Sequence, residues 1–242
     1  MMSAATLQLL PFLVIGGVVA YRTWMRFRVD GEAGAIDSWG ARRALTPADL
    51  PEPAATPTLS LPGGVAHDAW DVPIGDGTGA LYLWSWMADG GEGANGGGAG
   101  LRVSLHMGEA TVVQAMLAAG FPHFRVVPRH RFVAPAVDGW NEQEVQLESL
   151  EFARDHRLLA APDGDREMLL RLFDPELIVW YLGLGSAAPV IEYGVGTLVV
   201  SAGRACGTDA EFDALLAQAR HIAQRVLAEG LLHRPDTPTP TA

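Results

Sequence analysis

The front of this chain constrains its folding more than any other stretch. From Leu7 to Met25 it reads LQLLPFLVIGGVVAYRTWM, nineteen residues whose only charge is Arg22, and Arg26 and Arg28 follow. As a helix rising about 1.5 Å per residue, the run covers about 28 Å, close to the roughly 30 Å of bilayer hydrocarbon. Residues 7–25 therefore read as a transmembrane anchor. Pro11 falls in the first helical turn, where its missing N–H is not needed, and Gly16-Gly17 is ordinary inside a membrane helix. Two other readings fit the residues less well. A cleaved leader, which would make the protein secreted, wants a basic start and a small-x-small cleavage site. Here no basic residue precedes Arg22 and the run ends in Val19-Ala20-Tyr21-Arg22. A buried core helix would not explain arginines gathered at one end.

Those arginines also give an orientation. Arg22, Arg26, Arg28, Arg42 and Arg43 all lie at or beyond the C-terminal end of the run, so the positive-inside rule sends the following domain to the cytoplasm. Tyr21 and Trp24 fall where an interfacial aromatic belt sits. The lone Cys206 excludes an intrachain disulfide and agrees with a reducing compartment. The chain is expected to divide into an anchor over 1–28, a proline-bearing linker over 29–64, a globular body over 65–231 and a tail over 232–242. Pro47, Pro51, Pro53, Pro57 and Pro62 mark the linker, in which a short helix around Ser38 to Leu45 is weakly indicated.

Within the body, period-2 stretches alternate with a few helical ones. Ala80 to Met87 reads as a strand with two apolar faces, Leu81 and Leu83 on one, Tyr82, Trp84 and Trp86 on the other. The plain reading is a central strand packed on both sides; the sharper one leaves Tyr82, Trp84 and Trp86 as an open aromatic face for a partner. The glycine-rich run over 90–100 lacks the G-K-[ST] ending of a phosphate loop and reads as a hairpin connection. Leu101 to Met107 alternates as a half-solvated strand. Ala110 to Ala119 fits a strand or a short helix, and Leu150 to Leu159 a further strand with Leu150, Phe152 and Leu158 inward. Asp165 reads as the N-cap of one helix and Asp174-Pro175 as the start of another. Val190–Tyr193 and Thr197–Ser201 form a hairpin about Gly194-Val195-Gly196. Phe212, Leu215, Leu216, Ala219, Ile222 and Val226 recur at helical spacing over Asp209 to Glu229, with Gly230 as the stop. These elements predict an α+β fold, a mostly antiparallel sheet with two main helical segments on one face.

The second half resembles a bacterial family of membrane-anchored proteins with a domain of unknown function, common in high-GC actinobacteria. The resemblance is carried by Leu150-Glu151-Phe152, His156-Arg157-Leu158, Leu172-Phe173-Asp174-Pro175-Glu176-Leu177, Ile191-Glu192 and Leu198-Val199-Val200, over about residues 147–230. It implies an architecture and no activity.

Chemistry is harder to find. All 17 basic residues are arginine, so lysine-based mechanisms are excluded, and a net charge of −11 excludes a nucleic-acid partner. His123 and His130 match no zinc spacing. Arg125, Arg129 and Arg131 in FPHFRVVPRHRF read as a solvated strand face, and Glu142, Glu144, Glu148 and Glu151 as a solvated acidic stretch. A Cys206–His221 dyad and a site dispersed over His106, His156 and the Glu142–Glu151 acids are the two catalytic arrangements the residues allow, and neither has a recognised motif. No metal or other cofactor is expected. The sequence thus predicts a single-pass membrane protein whose body binds another protein without turnover; a tethered hydrolase-like enzyme or ligand-binding protein is the alternative.

Overall fold

The computed structural model describes residues 34–49, 64–75, 77–88, 105–117, 120–129 and 142–232. The expected anchor, the glycine-rich run and the tail from residue 233 lie outside them. Among the described residues no helix is long and apolar enough to cross a membrane.

Eight strands form one sheet: β1 (Gly64–Ile74), β2 (Gly77–Ala88), β3 (Leu105–Met116), β4 (Phe124–Pro128), β5 (Gln143–Val145), β6 (His156–Ala160), β7 (Val190–Gly194) and β8 (Thr197–Ser201). Their order is β1-β2-β3-β8-β7-β4-β6-β5, and every neighbouring pair is antiparallel. Among the described residues five α-helices accompany them: α1 over residues 34–42, α2 (Leu150–Asp155), α3 (Arg166–Leu172), α4 (Pro175–Gly183) and α5 (Asp209–Leu232). The α+β class, with a mostly antiparallel sheet, is the one predicted.

Alternation along the strands sorts the sheet into two faces. One carries Leu81, Val113, Val200, Ile191, Tyr193, Phe124, Val126 and Leu158, which join the apolar sides of α3, α4 and α5 in the main core. The helices start where their caps dictate. Asp165 Oδ1 accepts the Met168 N–H at 3.1 Å and Asp174 Oδ1 that of Leu177 at 2.8 Å, with Pro175 in the first turn. Ahead of α5, Thr208 and Glu211 form a reciprocal capping box: Thr208 Oγ1 accepts from Glu211 N (3.3 Å) and Glu211 Oε2 from Thr208 N (3.1 Å). The β7–β8 turn has Val195 at φ 50° and Gly196 at φ 77°, the left-handed pair that a two-residue hairpin demands.

Three expectations need correcting, and one open reading is resolved. Residues 34–48, assigned above to the linker, belong to the body: α1 buries Ile36 and Trp39, the latter 0% exposed, and Pro47 bridges to Trp70 at the outer edge of β1. The weakly indicated helix therefore exists four residues earlier than read. Ala110 onward is strand, continuing β3 to Met116. Leu150 to Asp155 is helix, not strand, because Ser149 Oγ accepts the Phe152 N–H at 3.2 Å and caps it, leaving Leu150 87% exposed. Finally, α5 runs past Gly230 to Leu232. One helical glycine costs about 1 kcal/mol, less than the packed stripe beside it returns.

Candidate functional site

Among the described residues, a group of buried, paired ionisable side chains lies where β4 begins. Glu142, just ahead of β5, accepts at Oε1 from His123 Nε2 (2.8 Å) and at Oε2 from the Arg125 guanidinium. An ionised carboxylate only accepts, so His123 Nε2 is the donor in that bond. The Glu142 and Arg125 side chains are 7% and 5% exposed, and the register sets buried Glu192 of β7 opposite Arg125. Because β6 lies between β4 and β5, these bonds span the end of β6. Arg129 and Glu144 make a second tie between the same strands.

Burying a guanidinium and a carboxylate costs several kcal/mol each, which only close pairing offsets. Burial alone would raise the Glu142 carboxyl; the hydrogen bonds from His123 and Arg125 and their charges overcome it and hold it below the usual carboxylate range. A carboxylate so held is a weak base, and both its oxygens are engaged, so the group is suited to fastening a three-residue edge strand and ill-suited to proton transfer near neutrality. Sequence reading placed Arg125 and Glu142 in solvent. Nothing local could have paired residues 17 positions apart, although the even spacing of His123 and Arg125 is the trace such a cluster leaves.

The other predicted positions are scattered. Tyr82 and Trp84 are 1% and 5% exposed and pack with Ala69, Ala110, Val112 and Val199 in a second cluster on the sheet face away from the helices. The Tyr82 hydroxyl donates to Gln114 Oε1 at 2.8 Å, and burial pushes its pKa up. Neither ring is offered to a partner in this conformation. The side chains of Trp86 and His106, like His130 and Arg131, lie outside what is described. His156 is buried between the Phe152 and Tyr181 rings, 5.4 and 5.0 Å away between centroids. The register places it four residues from the β6 position that faces Gln143, about 13 Å along the strand. Among the described residues His156 and Glu142 are therefore not gathered, and Glu148 and Glu151 are exposed. Cys206 is buried in the main core, its N–H donating to Thr111 Oγ1 at 2.8 Å. The His221 ring lies against Trp180, 4.3 Å between centroids, and burial followed by the Arg225 charge pushes its pKa down. Among the described residues no three or more His, Cys, Asp or Glu side chains are gathered to hold a metal ion.

No protein-family model and no curated protein matches this chain. Among solved structures it is similar to that of the mycobacterial trehalose monomycolate transport factor A, TtfA, with 10% sequence identity and a TM-score of 0.52 over 81% of this chain and 96% of that one. At that identity the likeness is one of fold.

Proposed function

We propose that this chain is a membrane-tethered accessory factor of a transport system, whose body holds another protein at the bilayer and performs no turnover. The observation that carries the reading is the fold likeness to TtfA, which takes in 96% of that solved chain. In this reading the apolar run over residues 7–25 is the tether, and its arginine flank supports a cytoplasmic body. The membership in a membrane-anchored bacterial family read from residues 147–230 is part of the same proposal. The buried ion cluster supports it from another side: the side chains best equipped for chemistry fasten strands together.

The test is genetic and biochemical together. In the host, deleting the gene should lower export of an acylated sugar of the trehalose monomycolate class, and expression of the full chain should restore it. Full chain cross-linked in cells and purified in detergent should carry an integral-membrane transporter at fixed stoichiometry. Unchanged export in the deletion strain would refute the transport reading, and turnover of a small ester or amide by the purified chain would refute the non-catalytic one.

A further inference from the structure

The body does not begin where its sheet begins. Trp39 of α1 is fully buried, its ring 5.5 Å from that of Phe212 and its Nε1 donating to Asp213 at 3.1 Å. Arg42 pairs with Asp209, and Arg43 with both Asp209 and Asp213 while its guanidinium lies 4.9 Å from the Trp39 ring centroid. On the other side of α1, Gly40 meets Trp70 so closely that a Cβ there would stand 2.3 Å from the indole. The helix is thus wedged between the start of α5 and the outer edge of β1. These four ion-paired side chains, two of each sign, sum to zero, so they add no repulsion from an anionic surface.

We infer that α1 is a bracket that sets how the body stands on its membrane, making the α1–β1 edge and the start of α5 its membrane-proximal surface. The inference rests on the tethered reading proposed above. Between Met25, the end of the apolar run, and the start of α1 lie residues 26–33. A random-coil tether of eight residues has a root-mean-square reach of about 16 Å, against about 34 Å for one of 38 residues, the length that would precede β1 if α1 were loose. The edge carrying α1 therefore stays close to the bilayer. At about 4.8 Å per strand, the β5 edge is about 34 Å further across the sheet.

The experiment uses the full chain with Cys206→Ala, reconstituted in phosphatidylcholine–phosphatidylglycerol vesicles with acceptor-labelled headgroups. A donor is placed on Gly207→Cys, in open space beside α5, or on Glu148→Cys beside β5. Energy transfer is expected to be stronger from position 207. Inserting ten Gly/Ser residues after Gly31 should lengthen the tether from about 16 to about 23 Å, 1.5-fold, and weaken transfer at 207. On a 38-residue tether the same insertion lengthens it only about 1.1-fold. Trp39→Ala should level the two sites, and the insertion decides the matter if that variant does not fold. Equal transfer from both sites, or transfer at 207 that ignores the insertion, would overturn the bracket. Failure of the chain to float with the vesicles would sink the tethered reading itself, and the bracket with it.

Discussion

The same substitution at two positions of α1 should have opposite signs. In isolation, Gly→Ala in a helix gains up to about 1 kcal/mol, because alanine loses less backbone freedom on folding. Gly34 opens the helix with nothing within 4 Å of an added Cβ, so Gly34→Ala should stabilise by a few tenths of a kcal/mol. At Gly40 the new methyl would lie 2.3, 2.4 and 2.8 Å from Trp70 Cδ2, Cε2 and Cε3. Those atoms sit in the middle of a ring, not at the end of a flexible chain, so the whole indole must swing out of its place beside Leu81. Overpacking of this kind costs about 1–3 kcal/mol, which exceeds the helical gain. The net expectation for Gly40→Ala is a loss of about 1–2 kcal/mol, or about 3–6 °C in Tm for a domain of this size. Thermal unfolding of the full chain in detergent, followed by near-ultraviolet circular dichroism, reads both variants against wild type. A Gly40→Ala protein as stable as Gly34→Ala would refute the reasoning, because α1 would then not be seated against β1.

Three further outcomes follow from the packing. Arg125→Met should cost about 3 kcal/mol in urea unfolding by leaving Glu142 buried with His123 alone, while Arg129→Met, at the exposed tie to Glu144, should cost under about 1 kcal/mol. Val195→Asn should stabilise by about 0.5–1 kcal/mol in the same assay, since a β-branched side chain at φ 50° is strained where asparagine is at ease. Glu211 is held at about 2, first by the Gly207 N–H and then by Arg204, against an ordinary 4.5. Its contribution to stability is complete above pH 4.5 and fades as the pH falls toward 2, so Glu211→Gln should lose about 1 kcal/mol at pH 7 and converge on wild type in acid.

What could be read in advance was what is decided locally. Asp165, Asp174-Pro175 and the Val195-Gly196 turn act within four residues, and the α5 stripe from Phe212 to Val226 repeats over about four turns, so each announced its element. Where tertiary contacts decide, the reading failed. Trp39 looked like a linker residue because its partners, Phe212 and Asp213, come more than 170 positions later. The exception is Leu150, which looked like strand by the alternation after it although a local cap, Ser149, makes the segment helix. Arg125 and Glu142 looked solvated because each hides the other's charge. The aromatic face of β2 was ambiguous for a different reason: an apolar strand face looks alike in sequence whether it is covered or open.

The strand order has a consequence for synthesis. β3 pairs on one side with β2, which precedes it, but its other edge, Val112 to Met116, pairs with Thr197 to Ser201. About eighty residues must be translated between the two. At about 5–20 residues per second, that apolar edge stands unpaired for about 4–16 s on every ribosome. The first three strands are an unfinished sheet for that interval, and an open edge of this kind recruits other strands. Slowing translation across residues 117–196 should therefore increase the aggregated fraction of newly made chain, whereas slowing it after Ser201 should not.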